Sequence, residues 1–148
     1  MQVDSPYSLV SRSKVEPGSL ICIEKKGLSV LAFAVKLGYG HTAALVISGA
    51  EAGELVVDLP YFVLLLSERA IVRPTADVGY WSSKKRGGGV SFALDERHQY
   101  FVYHDDGKEI GANLASGDVD LLPARVMHSA GWEIVFPRGG GFDSIDLN

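Results

Sequence analysis

The sequence predicts an α+β fold: a mostly antiparallel β-sheet or partial barrel with one or two short helices packed on it. Three observations carry this expectation. The second half of the chain alternates short apolar runs with turn signals, the pattern of antiparallel hairpins. The first half holds Leu28 to Leu37, where Val30, Leu31, Ala34 and Val35 fall on one helical face between glycines. No internal repeat and no long linker interrupts the 148 residues, so residues 1–148 read as a single domain.

Taken in order, residues 1–15 form a polar lead-in expected to be loose, followed by a turn at Glu16-Pro17-Gly18. Ser19 to Glu24 is apolar and rich in β-branched residues, a buried strand. Gly27 then opens the Leu28 to Leu37 helix, with Ser29 as a cap and Gly38 and Gly40 as its end. Thr42 to Ser48 and Glu54 to Leu59 flank a turn with two glycines and read as a hairpin, broken by Pro60. Phe62 to Ala70 is ambiguous, its leucines favouring helix, and Ile71-Val72-Arg73 is a short strand. Thr75 to Gly89 is a loop. Strands follow at Val90 to Leu94, Gln99 to Tyr103, Lys108 to Gly111, Val119 to Leu122 and Trp132 to Phe136. Asp105-Asp106-Gly107-Lys108 is a type I′ turn signal, and residues 138–148 are expected to be loose.

Composition narrows the function classes. With 47% hydrophobic and 22% charged residues the chain can build its own core. A net charge of −4 argues against a nucleic-acid binder, which is normally basic. The single cysteine, Cys22, permits no intrachain disulfide and fits a reducing, cytoplasmic location. Met1 to Ser13 has no signal-peptide pattern, and the longest apolar run, Tyr61 to Leu66, is too short to span a membrane. The four histidines, His41, His98, His104 and His128, lack the spacing of a metal site, and no cofactor motif is present, so no metal and no cofactor are expected.

His41, at the mouth of the Thr42 strand, and Asp58, seventeen residues on, could together form the base and orienting acid of a nucleophilic site. The plainer alternatives are a strand-end histidine satisfying a backbone group and an acid beside a turn or capping the segment after Pro60. Tyr80, Trp81, Lys84, Lys85 and Arg86 place aromatic and cationic side chains side by side in a glycine-rich loop. That combination suits a partner-binding surface, and a solvated loop is the alternative.

The order of these pieces resembles the circularly permuted papain-like families typified by lecithin:retinol acyltransferase-like enzymes. The resemblance rests on Glu16-Pro17-Gly18-Ser19-Leu20-Ile21, Tyr39-Gly40-His41-Thr42-Ala43-Ala44-Leu45-Val46 and Leu55-Val56-Val57-Asp58-Leu59-Pro60, roughly half of the chain. It implies that His41 is a general base and Asp58 its partner. The family's nucleophile is a cysteine that follows the histidine at the start of a helix. Here no cysteine follows Cys22, and Ser129, 88 residues after His41, is the closest substitute. Two functions therefore stand open. One is a small protein-binding or inhibitor domain with a protein partner, a non-catalytic relative of the papain-like fold. The other is a hydrolase or acyltransferase acting on an amide or ester through His41, Asp58 and Ser129.

Overall fold

The computed structural model describes residues 7–66, 70–74, 89–129, 131–138 and 141–145. The described residues form fourteen β-strands and one 3₁₀ turn, Arg12–Lys14. The α+β expectation is therefore corrected: no helix packs on the sheets among the described residues, and the fold is antiparallel β.

The first sheet contains β1 (Tyr7–Ser11), β2 (Leu20–Lys25), β3 (Leu28–Lys36), β4 (Thr42–Val46), β5 (Leu55–Val56) and β6 (Phe62–Leu66), in the order β1-β6-β2-β3-β4-β5. β3 is the segment expected to be helical. Nearly every position from Val30 to Val35 is apolar, so an i, i+3, i+4 pattern can be drawn through a run that has no true period. The central place of β3 is what decides. It pairs with β2 on one edge and β4 on the other, and both of its faces are buried. Leu31, Phe33 and Val35 enter one core, and Ala32 and Ala34 enter a second. Gly27 is a turn residue rather than a helix start. Lys26 and Gly27, both at positive φ (52° and 77°), link the paired residues Lys25 and Leu28, a two-residue hairpin turn of the I′ kind. Phe62–Leu66, where leucines favoured helix, is likewise a strand, inserted between β1 and β2.

A second sheet is built from β8 (Ser91–Leu94), β9 (Gln99–Asp105), β10 (Lys108–Asn113), β11 (Val119–Leu121) and β12 (Met127–Ser129), in the order β11-β10-β9-β8-β12. Asp106 and Gly107, at φ 50° and 73°, make the expected I′ turn between Asp105 and Lys108. A third sheet joins β7 (Ile71–Pro74), β13 (Trp132–Arg138) and β14 (Gly141–Ile145). Both ends expected to be loose thus carry strands, since β1 lies in the lead-in and β14 folds back on β13. Pro137 does not stop β13, whose register runs on to Arg138 opposite Gly141.

Three cores follow from the strand alternation. One face of the first sheet (Leu31, Phe33, Val35, Leu45, Leu66) packs against Phe101, Tyr103 and Ala112 of the second sheet and Ile134 of the third. The opposite face buries Ile21, Ile23, Ala32, Ala34, Ala44 and Val63 under Val15 and Leu59. All six strands of the sheet contribute to this core, and among the described residues no other sheet covers it. The first sheet therefore curls over its own inner face, and the alanines of β3 and β4 leave room for the curl. The third core lies on the far side of the second sheet, around Ala93, Tyr100, Val102 and Val126. The first two sheets are tied together by a parallel bridge, Lys36 to Asp118. Beside it the chain passes so close that a Cβ on Gly117 would lie 2.5 Å from the Gly18 nitrogen. Among the described residues no helix is long and apolar enough to cross a membrane.

Candidate functional site

His41 follows a tight connection from β3 to β4. The Gly40 N–H donates to the Leu37 carbonyl (2.8 Å) and the Leu37 N–H to the His41 carbonyl (2.9 Å). β4 and β5 register Ala44 opposite Val56, so Thr42 and Asp58 lie two residues beyond that pair on neighbouring strand ends. The structure brings His41 and Asp58 near each other. Their contact is loose, with Nε2 3.9 Å from Asp58 Oδ1 and the Asp58 side chain 91% exposed. The tight partner of Nε2 is the Val57 carbonyl, 2.6 Å away. A carbonyl only accepts, so Nε2 carries the proton in this arrangement. Tyr39 stacks on the other side of the ring, with centroids 5.8 Å apart and planes 20° from parallel.

The ring borders a cleft of about 350 Å³ shared with Arg12, Ser13, Val15, Thr42, Asp58 and Leu59. Arg12 is held there by donating from Nη1 to the Leu59 carbonyl (3.1 Å) and from its backbone N–H to the Tyr61 carbonyl (2.8 Å). Two hydroxyls border the cleft, but neither hydrogen-bonds to His41. Ser13 Oγ pairs instead with Ser11 Oγ at 2.9 Å. Chemically the cleft offers one anchored guanidinium, one imidazole fixed by a backbone group, and one solvated carboxylate.

Ser129 is elsewhere. It lies on β12, at the border of the second sheet, opposite Phe92 of β8. It is fully buried, and its hydroxyl donates to the Gly131 carbonyl at 2.7 Å. The structure does not bring Ser129 to His41, because the two occupy different sheets. Cys22, on β2, is half-buried. Burial pushes its thiol pKa up, and a hydrogen bond with Tyr7 only partly offsets this, the reverse of an activated thiolate. Tyr80, Trp81, Lys84, Lys85 and Arg86 lie outside the described residues. Among the described residues no group of three or more His, Cys, Asp or Glu side chains could hold a metal ion. His98 sits beside Asp95 (Nδ1 to Oδ1 3.7 Å), His104 is exposed on β9, and His128 is buried on β12 opposite Ala93.

A second surface feature was not anticipated. β1 and β6 register Leu9 opposite Leu64 and Ser11 opposite Phe62, which puts Leu9, Phe62 and Leu64 on one face. These side chains are 67%, 55% and 38% exposed. Tyr61, itself exposed, meets Phe62 edge-on with ring centroids 4.7 Å apart. Among the described residues β1 pairs only with β6, so its outer edge is open. No family model, no curated protein and no solved structure matches this chain.

Proposed function

We propose that this chain is a non-catalytic binding domain that docks a protein partner along the border of β1 and β6. The observation that supports it is the exposed apolar ridge of Leu9, Phe62 and Leu64, extended by Tyr61. Contiguous large apolar side chains left in water mark interaction surfaces more often than scattered ones do. The open edge of β1 adds a row of backbone donors and acceptors that an extended segment of the partner can pair with. Alternate side chains of that segment then lie beside Leu9, at the edge of the ridge. The partner is therefore a protein presenting an uncharged, apolar strand, and the chain inhibits it where that strand belongs to a working surface. A reducing, cytoplasmic setting suits the free Cys22.

The hydrolase reading retains the proximity of His41 and Asp58, but the Val57 carbonyl occupies the nitrogen nearest the acid. No hydroxyl or thiol among the described residues is hydrogen-bonded to the ring.

The test is affinity capture from the native host with three baits: the natural chain, Leu9→Asp and His41→Ala. One dominant protein should be retained by the natural chain and by His41→Ala, and at least tenfold less by Leu9→Asp. Leu9 is exposed, so the substitution should leave the melting temperature unchanged. Loss of the partner with His41→Ala alone would overturn this reading, as would ester or amide turnover that His41→Ala abolishes.

A further inference from the structure

We infer that the cavity between the first and second sheets binds a small, uncharged amphiphile. The cavity measures about 500 Å³, within the range of small-molecule sites. Its walls are Phe33 of β3, Leu66 of β6, Phe101 of β9 and Val72 of β7, with Leu20 and Leu114 beside them. Phe33, Leu66 and Phe101 are buried members of the main core, so the cavity is an unfilled extension of that core. At the rim stand two neutral polar side chains, Ser19 and Gln99. Neither side chain hydrogen-bonds to another described residue. No ionisable side chain lines the cavity among the described residues.

These features select the ligand. An apolar body fills the space between Phe33, Leu66 and Phe101, with room for roughly fifteen water-sized groups at ~30 Å³ each. An uncharged head with a hydroxyl, amide or ester then reaches Ser19 Oγ and the Gln99 amide. A charged head would be drawn from water with no counter-charge among the described lining residues, which disfavours it. The neighbouring polar cleft shares Gln99, Leu114 and Ala115 with the cavity. It carries two carboxylates, Asp95 and Glu96, against the one guanidinium of Arg97, so it does not favour an anionic head. The site adjoins the β1–β6 ridge only through Leu66 of β6 and does not depend on the protein-docking reading.

The experiment is a fluorescence titration of the whole chain with Nile red, followed by displacement with 1-dodecanol or dodecanoate at pH 8. Nile red should saturate at one site per chain. Dodecanol should displace it at a concentration at least tenfold lower than dodecanoate. Gln99→Leu, an exposed position, should narrow that difference at least fivefold by removing the head-group partner. Leu114→Trp should fill the cavity and abolish the saturable signal with unchanged circular dichroism. Should that variant not fold, Ala115→Phe, on the exposed rim, is read in its place. Leu9→Asp should leave dye binding untouched. Signal that rises without saturation, dodecanoate binding as well as dodecanol, or full dye binding by the folded cavity-filling variant would each overturn the inference.

Discussion

Asp95 closes the connection between β8 and β9 with both of its carboxylate oxygens. Oδ1 accepts from the backbone N–H of Arg97 (2.8 Å) and of His98 (2.7 Å), and Oδ2 accepts from the Tyr100 hydroxyl (2.9 Å). The Arg97 N–H first, and then the His98 N–H, hold the carboxyl below its ordinary value of 3.8. A carboxyl depressed in the folded state stabilises the protein above its unfolded value and loses that contribution as pH falls through the folded one. Asp95→Asn keeps an acceptor but not the charge. Its melting temperature should lie below that of the natural chain at pH 7, and the gap should narrow as the pH falls below the ordinary value of 3.8. Thermal melts across that range check this, and a constant gap would show that the charge is irrelevant to the turn. The same reasoning at single residues explains His41. Its type and position at a strand mouth were legible in the sequence. That it could satisfy a backbone group was one of the two readings, but which group, the Val57 carbonyl, was not legible, because that depends on where β5 ends.

At the scale of elements, β3 shows what a sequence leaves undetermined. Ala32 and Ala34 read equally well as good helix formers and as small residues on a strand that must fit inside a curl. Only the pairing of β3 with both β2 and β4 resolves this. The short hairpins were more legible, because Asp106-Gly107 needs positive φ at both positions whatever the rest of the chain does. The exposed ridge was not legible at all. Phe62 and Leu64 belong to a stretch whose leucines favoured helix, and their exposure follows only once β6 is placed next to the edge strand β1. If Ala34 is small because the inner face is tight, Ala34→Leu should cost about 1–3 kcal/mol through overpacking. Ala34 is fully buried in the core that holds Ile21, Ile23 and Ala44. Urea unfolding monitored by circular dichroism measures it. A neutral result would mean that the sheet is flatter than the burial of its inner face implies.

At the scale of the molecule, one side chain links all three sheets. Phe101 of β9 is fully buried. Its ring lies 5.3 Å from Phe33 of the first sheet, nearly edge-on at 77°, and 4.8 Å from Trp132 of the third. Trp132 is itself anchored by donating from Nε1 to the Val90 carbonyl at 2.9 Å. Phe101 sits inside the main core that the three sheets share, beside the bridge at Lys36 and the close passage at Gly18. The ring contacts make Phe101 the residue on which cooperative unfolding depends most. Phe101→Ala removes both ring contacts and should cost about 3–5 kcal/mol. For a chain of this length that corresponds to a fall in melting temperature of roughly 10–15 °C. In the natural chain, the unfolding curves from far-ultraviolet circular dichroism and from Trp132 fluorescence, read in a Trp81→Phe background, should coincide. In Phe101→Ala the Trp132 signal should change at lower denaturant than the circular dichroism, because the third sheet has lost its packing partner while the curled first sheet keeps its own core. Coincident curves in the variant would show that the sheets are coupled by the backbone bridge rather than by this aromatic cluster.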